Sequence, residues 1–218
     1  MVPQPIRVVL LGVTLAFVGG SLISRLADAR LPGNNTGHAP VQPLAYSHRL
    51  HAGELGIDCS YCHMGASRGR HAAIPSADVC MACHRSVRAS QEAVKAEEQA
   101  AAAEGRTPRT IVSAELAKLY AALGLDDQLR PDPQATPSPI PWKQVHVLPE
   151  HAHFDHSVHM ASGLKCQQCH GPIETMERVR QQERLSMGWC IECHRAVNRD
   201  GVGGQRVAAS LDCAACHY

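Results

Sequence analysis

Aromatic side chains are scarce: two Phe, two Trp and four Tyr in 218 residues. These side chains bury the most apolar area apiece, so the polypeptide alone offers a poor core. Neither sign of charge is in excess, with 21 Lys and Arg against 20 Asp and Glu. That balance gives no basic field to gather nucleic acid. No catalytic triad, phosphate-binding loop or carboxylate pair stands out, so no substrate of its own is expected. Spare cysteine is lacking too. All ten Cys fall into one repeated pattern, which leaves no thiol over.

The pattern is C-x-x-C-H. Its five copies are Cys59–Cys62–His63, Cys80–Cys83–His84, Cys166–Cys169–His170, Cys190–Cys193–His194 and Cys213–Cys216–His217. This is the attachment signature of c-type haem. Two cysteines three apart lie on one side of a helical turn, where both sulfurs can form thioethers to one porphyrin. The next histidine then reaches the iron as its proximal axial ligand. Zinc ribbons are the competing reading, because 17 residues separate Cys62 from Cys80 and 20 separate Cys169 from Cys190, both near ribbon spacing. Two ribbons leave Cys213 and Cys216 unused and give no reason for the five histidines. Structural disulfides within C-x-x-C are strained.

Five covalently bound haem c groups are thus expected, with the protein a thin wrapper around them. The expected fold is a mostly irregular and α-helical multihaem cytochrome c with sparse secondary structure. Propionates add up to roughly ten carboxylates, which again argues against nucleic acid as a partner.

Val8–Ser24 contains no charge, and Arg7 and Arg25 flank it. Seventeen residues is short for a spanning helix and also suits a signal-peptide core. Ala27-Asp28-Ala29 could serve as a cleavage site. The reading adopted is an uncleaved anchor, residues 1–30, forming one N-terminal transmembrane helix. Covalent haem attachment takes place outside the bacterial inner membrane, so the expected location is that membrane, with the soluble part on the periplasmic side.

Residues 31–87 then read as a two-haem module that begins with a Pro/Gly/Asn linker. Residues 88–142 read as a helical insert and Pro-rich linker. Within it, 88–105 is a polar helix rich in Ala, Glu and Gln. Val112–Leu123 is an amphipathic helix with Leu116, Leu119 or Tyr120, and Leu123 on one side, stopped by Gly124. Five prolines between 125 and 142 predict an extended connection. Residues 143–218 form a three-haem module. Tyr46-x-His48-x-x-His51 before the first motif is echoed by Phe154-x-His156-x-x-His159 before the third, an internal repeat.

Nine histidines remain after the proximal five, close to what bis-histidine ligation requires. Two strong axial ligands leave no place for substrate on iron. His48, His51, His156 and His159 are the first candidates, since one helical turn can present a pair to two haems. His146, His151 and His71 are the next. His38, in the linker, is expected to be solvated, and His153 to lie at the surface. Met187 could supply a thioether or simply pack beside Trp189.

The aromatic-x-His-x-x-His…C-x-x-C-H arrangement resembles class III multihaem cytochromes of the c3/c7 type. That resemblance implies His48 opposite His63 and His156 opposite His170, with His51 and His159 serving the haems of His84 and His194. HAGELGIDCSYCH, HAAIPSADVCMACH, VHVLPEHAHFDHSVH, CQQCHGPIETME, LSMGWCIECHR and CAACHY together are similar to the pentahaem subunit of alternative complex III, a quinol:electron-acceptor oxidoreductase. The partners so implied are multi-helix quinol-oxidising membrane subunits, an iron–sulfur molybdoenzyme-like subunit, a monohaem cytochrome c and a soluble electron acceptor. On this reading the chain relays electrons and has no catalytic site. The alternatives are a multihaem reductase with one open-coordinate haem and a stand-alone quinol dehydrogenase.

Overall fold

The computed structural model of the chain describes residues 19–20 and 35–217. The expected anchor, with Val8–Ser24 and Ala27-Asp28-Ala29, therefore lies outside the described residues apart from Gly19 and Gly20. Among the described residues, no helix is long and apolar enough to cross a membrane.

Short helices joined by irregular chain make up the structure, and no strand longer than an isolated bridge occurs among the described residues. Every C-x-x-C pair lies on helical backbone or at its edge. They fall in α1 (Cys59–Cys62), α2 (Ala77–His84), α6 (Gln167–His170, with Cys166 as its N-cap), α7 (Met187–Asp200) and α8 (Cys213–Cys216). Local sequence explains several of these starts. Asp58 accepts from the Ser60 N–H at 2.8 Å, Asp212 from Ala214 at 3.1 Å, and Ser186 Oγ from Trp189 at 3.3 Å. Each is an N-cap that satisfies a donor with no helical partner.

The insert forms α3 (Gln91–Glu104) and α4 (Ala114–Ala122). Ser90 and Ser113 cap them, and α3 ends at Gly105, whose φ of +65° is left-handed backbone that glycine adopts without penalty. The polypeptide's main apolar cluster sits here. Leu119 and Tyr120 are fully buried against Met81, with Leu116, Leu123 and Leu44 around them. Burying each such side chain contributes about 1.5–3 kcal/mol.

The Pro-rich stretch departs from the expected extended connection. It folds back on α4. Leu125 bridges Pro131, the Asp132 N–H donates to the Gly124 carbonyl at 2.9 Å, and Ser138 donates to Ala122 at 2.9 Å. This return lays Leu125, Leu129 and Ile140 on the apolar cluster. Their burial outweighs the extended preference of the prolines.

The stretches around the first and third motifs pack directly on each other. A π-type turn, Arg49–Glu54, lies against a 3-10 turn, Ile173–Thr175. There Arg49 N–H donates to the Met176 carbonyl at 3.0 Å and Ser47 Oγ to Glu177 at 2.8 Å. Helix α5 (His156–Ala161) lies on a second 3-10 turn, Met64–Ser67. The packing thus crosses the boundaries drawn at 87 and 143.

Candidate functional site

The two aromatic-x-His-x-x-His segments fold into near copies of one geometry. Tyr46 stacks on His51 with ring centres 4.4 Å apart at 27°, and Phe154 stacks on His159 at 4.4 Å and 28°. Each aromatic ring meets the first histidine of its pair edge-on, at 4.8 Å and 84° for His48 and at 4.8 Å and 89° for His156. The ring thus acts as a spacer that turns the two imidazoles outward in different directions. In the second copy Asp155 accepts from the Ser157 and Val158 N–H groups and starts α5. In the first, Ser47 Oγ accepts from Leu50 N–H at 3.1 Å.

Opposite these histidines stand the proximal ones. His48 faces His63 with ring centres 6.4 Å apart and planes within 5°. His156 faces His170 at 6.3 Å and 8°. His51 lies 6.0 Å from His84 at 61°, and His159 lies 6.2 Å from His194 at 35°. An imidazole bound to iron has its ring centre about 3.1 Å from the metal, from a bond of about 2.0 Å and about 1.1 Å within the ring, so a trans pair stands about 6.2 Å apart. The planes may turn freely about that axis, so the four angles are all compatible with it. The residues present therefore fit a haem iron between each pair.

The other ring nitrogens strengthen the fit. Nδ1 donates to a backbone carbonyl in His51 (Ser47, 2.8 Å), His63 (Ala73, 2.8 Å), His84 (Val87, 2.8 Å) and His156 (Arg70, 2.7 Å). It does so in His159 (Asp155, 2.7 Å), His194 (Ser210, 2.6 Å) and His217 (His151, 3.2 Å) as well. Such a bond fixes the tautomer and leaves Nε2 as the free lone pair, the usual arrangement of a ligating histidine. Burial, then the neighbouring His63 and His51, hold His48 down to about 4. Burial, then His146, His156 and His63, do the same for His170. Both are thus neutral, the form that binds metal.

None of the ten cysteines pairs with another as a disulfide. Burial, then Cys62, raises Cys80, and burial, then Cys83, raises Cys62. Cys59 is raised by burial and by Cys166, with which it hydrogen-bonds. Burial, then Cys193 and Cys190, push Cys169 up to about 11, and Cys216 adds to burial in raising Cys190. Cysteines of the first and second, first and third, third and fourth, and fourth and fifth motifs thus lie within reach of one another. The zinc reading has no support in this geometry. No three His, Cys, Asp or Glu side chains converge on a metal position among the described residues.

The remaining candidates divide. His151 faces His217 at 5.5 Å and 29°, closer than a trans pair but on the one proximal histidine left without a partner by the other four pairs. His146 instead meets His170 edge-on, 4.5 Å between centres at 84°, with Nε2 3.2 Å from the His170 Nδ1. His71 is exposed, and its carbonyl lies against Gly65. Met187 is 69% exposed. His38 departs from the expected solvated linker. Gly37 N–H donates to the Gln181 carbonyl at 2.8 Å and Gln181 N–H to that of His38 at 3.0 Å, which holds the segment in place and buries the His38 Nε2. Sequence reasoning also missed Ser47 and Gln181, both buried polar side chains.

Residues 152–218 match the family described as cytochrome c7 and related cytochrome c. That stretch holds α5 and three of the five motifs. A second likeness runs along most of the chain. The multihaem cytochrome c subunit of menaquinone reductase from Nitratidesulfovibrio vulgaris Hildenborough is 23% identical over 196 residues, covering 81% of this chain and 76% of that protein. Haem c is the cofactor class on which the motifs, the ring geometry and both likenesses agree.

Proposed function

We propose that this chain is a pentahaem c-type cytochrome that relays electrons between a quinol-linked membrane complex and a periplasmic acceptor. The observation that carries the reading is the pairing of imidazoles. Four proximal histidines have a second histidine 6.0–6.4 Å away, and His151 stands opposite the fifth. When bound, haem c would supply one-electron exchange, and the paired histidines are the side chains that would hold its iron. The chain's own part is to hold the cysteine pairs on helical turns and to fix the tautomers of seven of these histidines through Nδ1.

The membrane side of the proposal draws on the apolar N-terminal run as an inner-membrane anchor and on the relative's role in a menaquinone reductase. The partners are those of an alternative complex III-like assembly: multi-helix quinol-oxidising subunits, an iron–sulfur subunit and a monohaem cytochrome c. Purification from native membranes under mild detergent tests both halves. The expected result is five haems per chain by pyridine haemochrome assay, together with multi-helix and iron–sulfur subunits in the same particle. A chain that loads fewer haems, or that migrates alone from gently solubilised membranes, overturns the corresponding half.

A further inference from the structure

His170 differs from every other proximal histidine in what its Nδ1 touches. His63, His84, His194 and His217 each donate to a backbone carbonyl. His170 instead faces the Nε2 of His146 at 3.2 Å. The two rings are nearly perpendicular, at 84°.

The segment bearing His146 is held in place. Lys143 is clamped to Gln42 by two hydrogen bonds, Gln42 Nε2 to the Lys143 carbonyl at 2.9 Å and Lys143 N–H to Gln42 Oε1 at 2.8 Å. Gln144 Nε2 donates to the His146 carbonyl at 3.0 Å. The contact with His170 is thus made by an anchored loop, and His146 is half-buried.

Resting on the reading of His170 as an iron ligand, the donor is fixed. Nε2 of His170 is committed to the metal, so its proton lies on Nδ1, and His146 must accept. An imidazole nitrogen is a more basic acceptor than an amide carbonyl. It draws the proton further from His170 and leaves more electron density on the ligand, which favours the oxidised iron. We propose that His146 is a positioning residue for the third haem site, holding the ring of His170 and lowering the reduction potential there relative to a carbonyl partner.

The test uses the intact membrane-extracted holoprotein carrying His146→Phe, which keeps a flat ring but removes the acceptor, and His146→Gln, which restores one. Haem content, spectroelectrochemical titration at fixed pH and low-temperature electron paramagnetic resonance are compared with wild type. The expected result for His146→Phe is full haem loading, all-low-spin signals and an upward shift of one titration wave, with the others unmoved. His146→Gln should bring that wave back towards its wild-type position. An unshifted titration in His146→Phe overturns the proposal. A new high-spin signal in either variant also overturns it, because His146 is then itself an axial ligand. The underlying reading is tested apart by His170→Ala: if all haems remain low-spin in that variant, His170 does not ligate and it is that reading which fails.

Discussion

His48 and His63 face each other with parallel rings 6.4 Å apart, though they come from opposite sides of the first cysteine pair. The fourteen residues between them, including the π-type turn and α1, are folded to bring them there. The same relation recurs between His156 and His170 at 6.3 Å, built on an α-helix instead of a π-type turn. Two different backbones reach one side-chain geometry, which identifies the imidazole pair as the feature the fold maintains.

Replacing a member of a pair should open one iron. His156→Ala is expected to convert about one haem in five from low-spin to high-spin. His71→Ala should leave the spectrum unchanged, since His71 is exposed and its ring faces no proximal histidine among the described contacts. Electron paramagnetic resonance on the two purified variants checks this. A high-spin signal in His71→Ala, or none in His156→Ala, contradicts the assignment.

How much of this was readable beforehand follows from distance along the chain. The five cysteine motifs and the two His-x-x-His pairs are local patterns, so they were visible in the sequence, as were α3, α4 and the stop at Gly124. What stayed hidden depends on contacts between distant segments. The return of the Pro-rich stretch onto α4 is driven by Leu125, Leu129 and Ile140 finding Leu119 and Tyr120, which no local propensity reveals. The seating of His38 on Gln181 and the contact of His146 with His170 are likewise long-range. A histidine between Val145 and Val147 carries no local sign of the partner 24 residues away.

The insert is tied to the second motif by one buried hydroxyl. Tyr120 is fully buried, and its Oη donates to the His84 carbonyl at 2.6 Å. Tyr120→Phe keeps the packing but removes that bond, at an expected cost of about 1–2 kcal/mol. Thermal unfolding of the holoprotein should show a lower midpoint with haem content intact. An unchanged midpoint would mean that the hydroxyl contributes nothing.

Gly53 sits where the first and third motif segments meet, and a Cβ there would strike the Glu174 carbonyl. Gly53→Ala forces the two turns apart and should destabilise the holoprotein by about 1–3 kcal/mol. Denaturant unfolding measures it. A neutral effect would show that this contact yields without cost.

Glu97 accepts from the Arg106 guanidinium and from the Arg109 N–H at 2.7 Å. These hydrogen bonds hold its carboxyl down to about 2, below its ordinary 4.5. A depressed carboxylate stabilises the fold above its unfolded value and loses that contribution as the pH falls through the folded one. The stability difference between wild type and Glu97→Gln should therefore be constant above pH 4.5 and shrink steadily towards pH 2. Melting curves of both proteins across that window decide it. A difference that grows on acidification has the wrong sign for this account.

Paired axial histidines at every site are the central claim, and low-temperature electron paramagnetic resonance on the oxidised, membrane-extracted protein tests it most directly. The account predicts low-spin signals alone, from five six-coordinate irons. A substantial high-spin signal in the intact protein would contradict it, exposing an open iron and turning attention from relay to substrate chemistry.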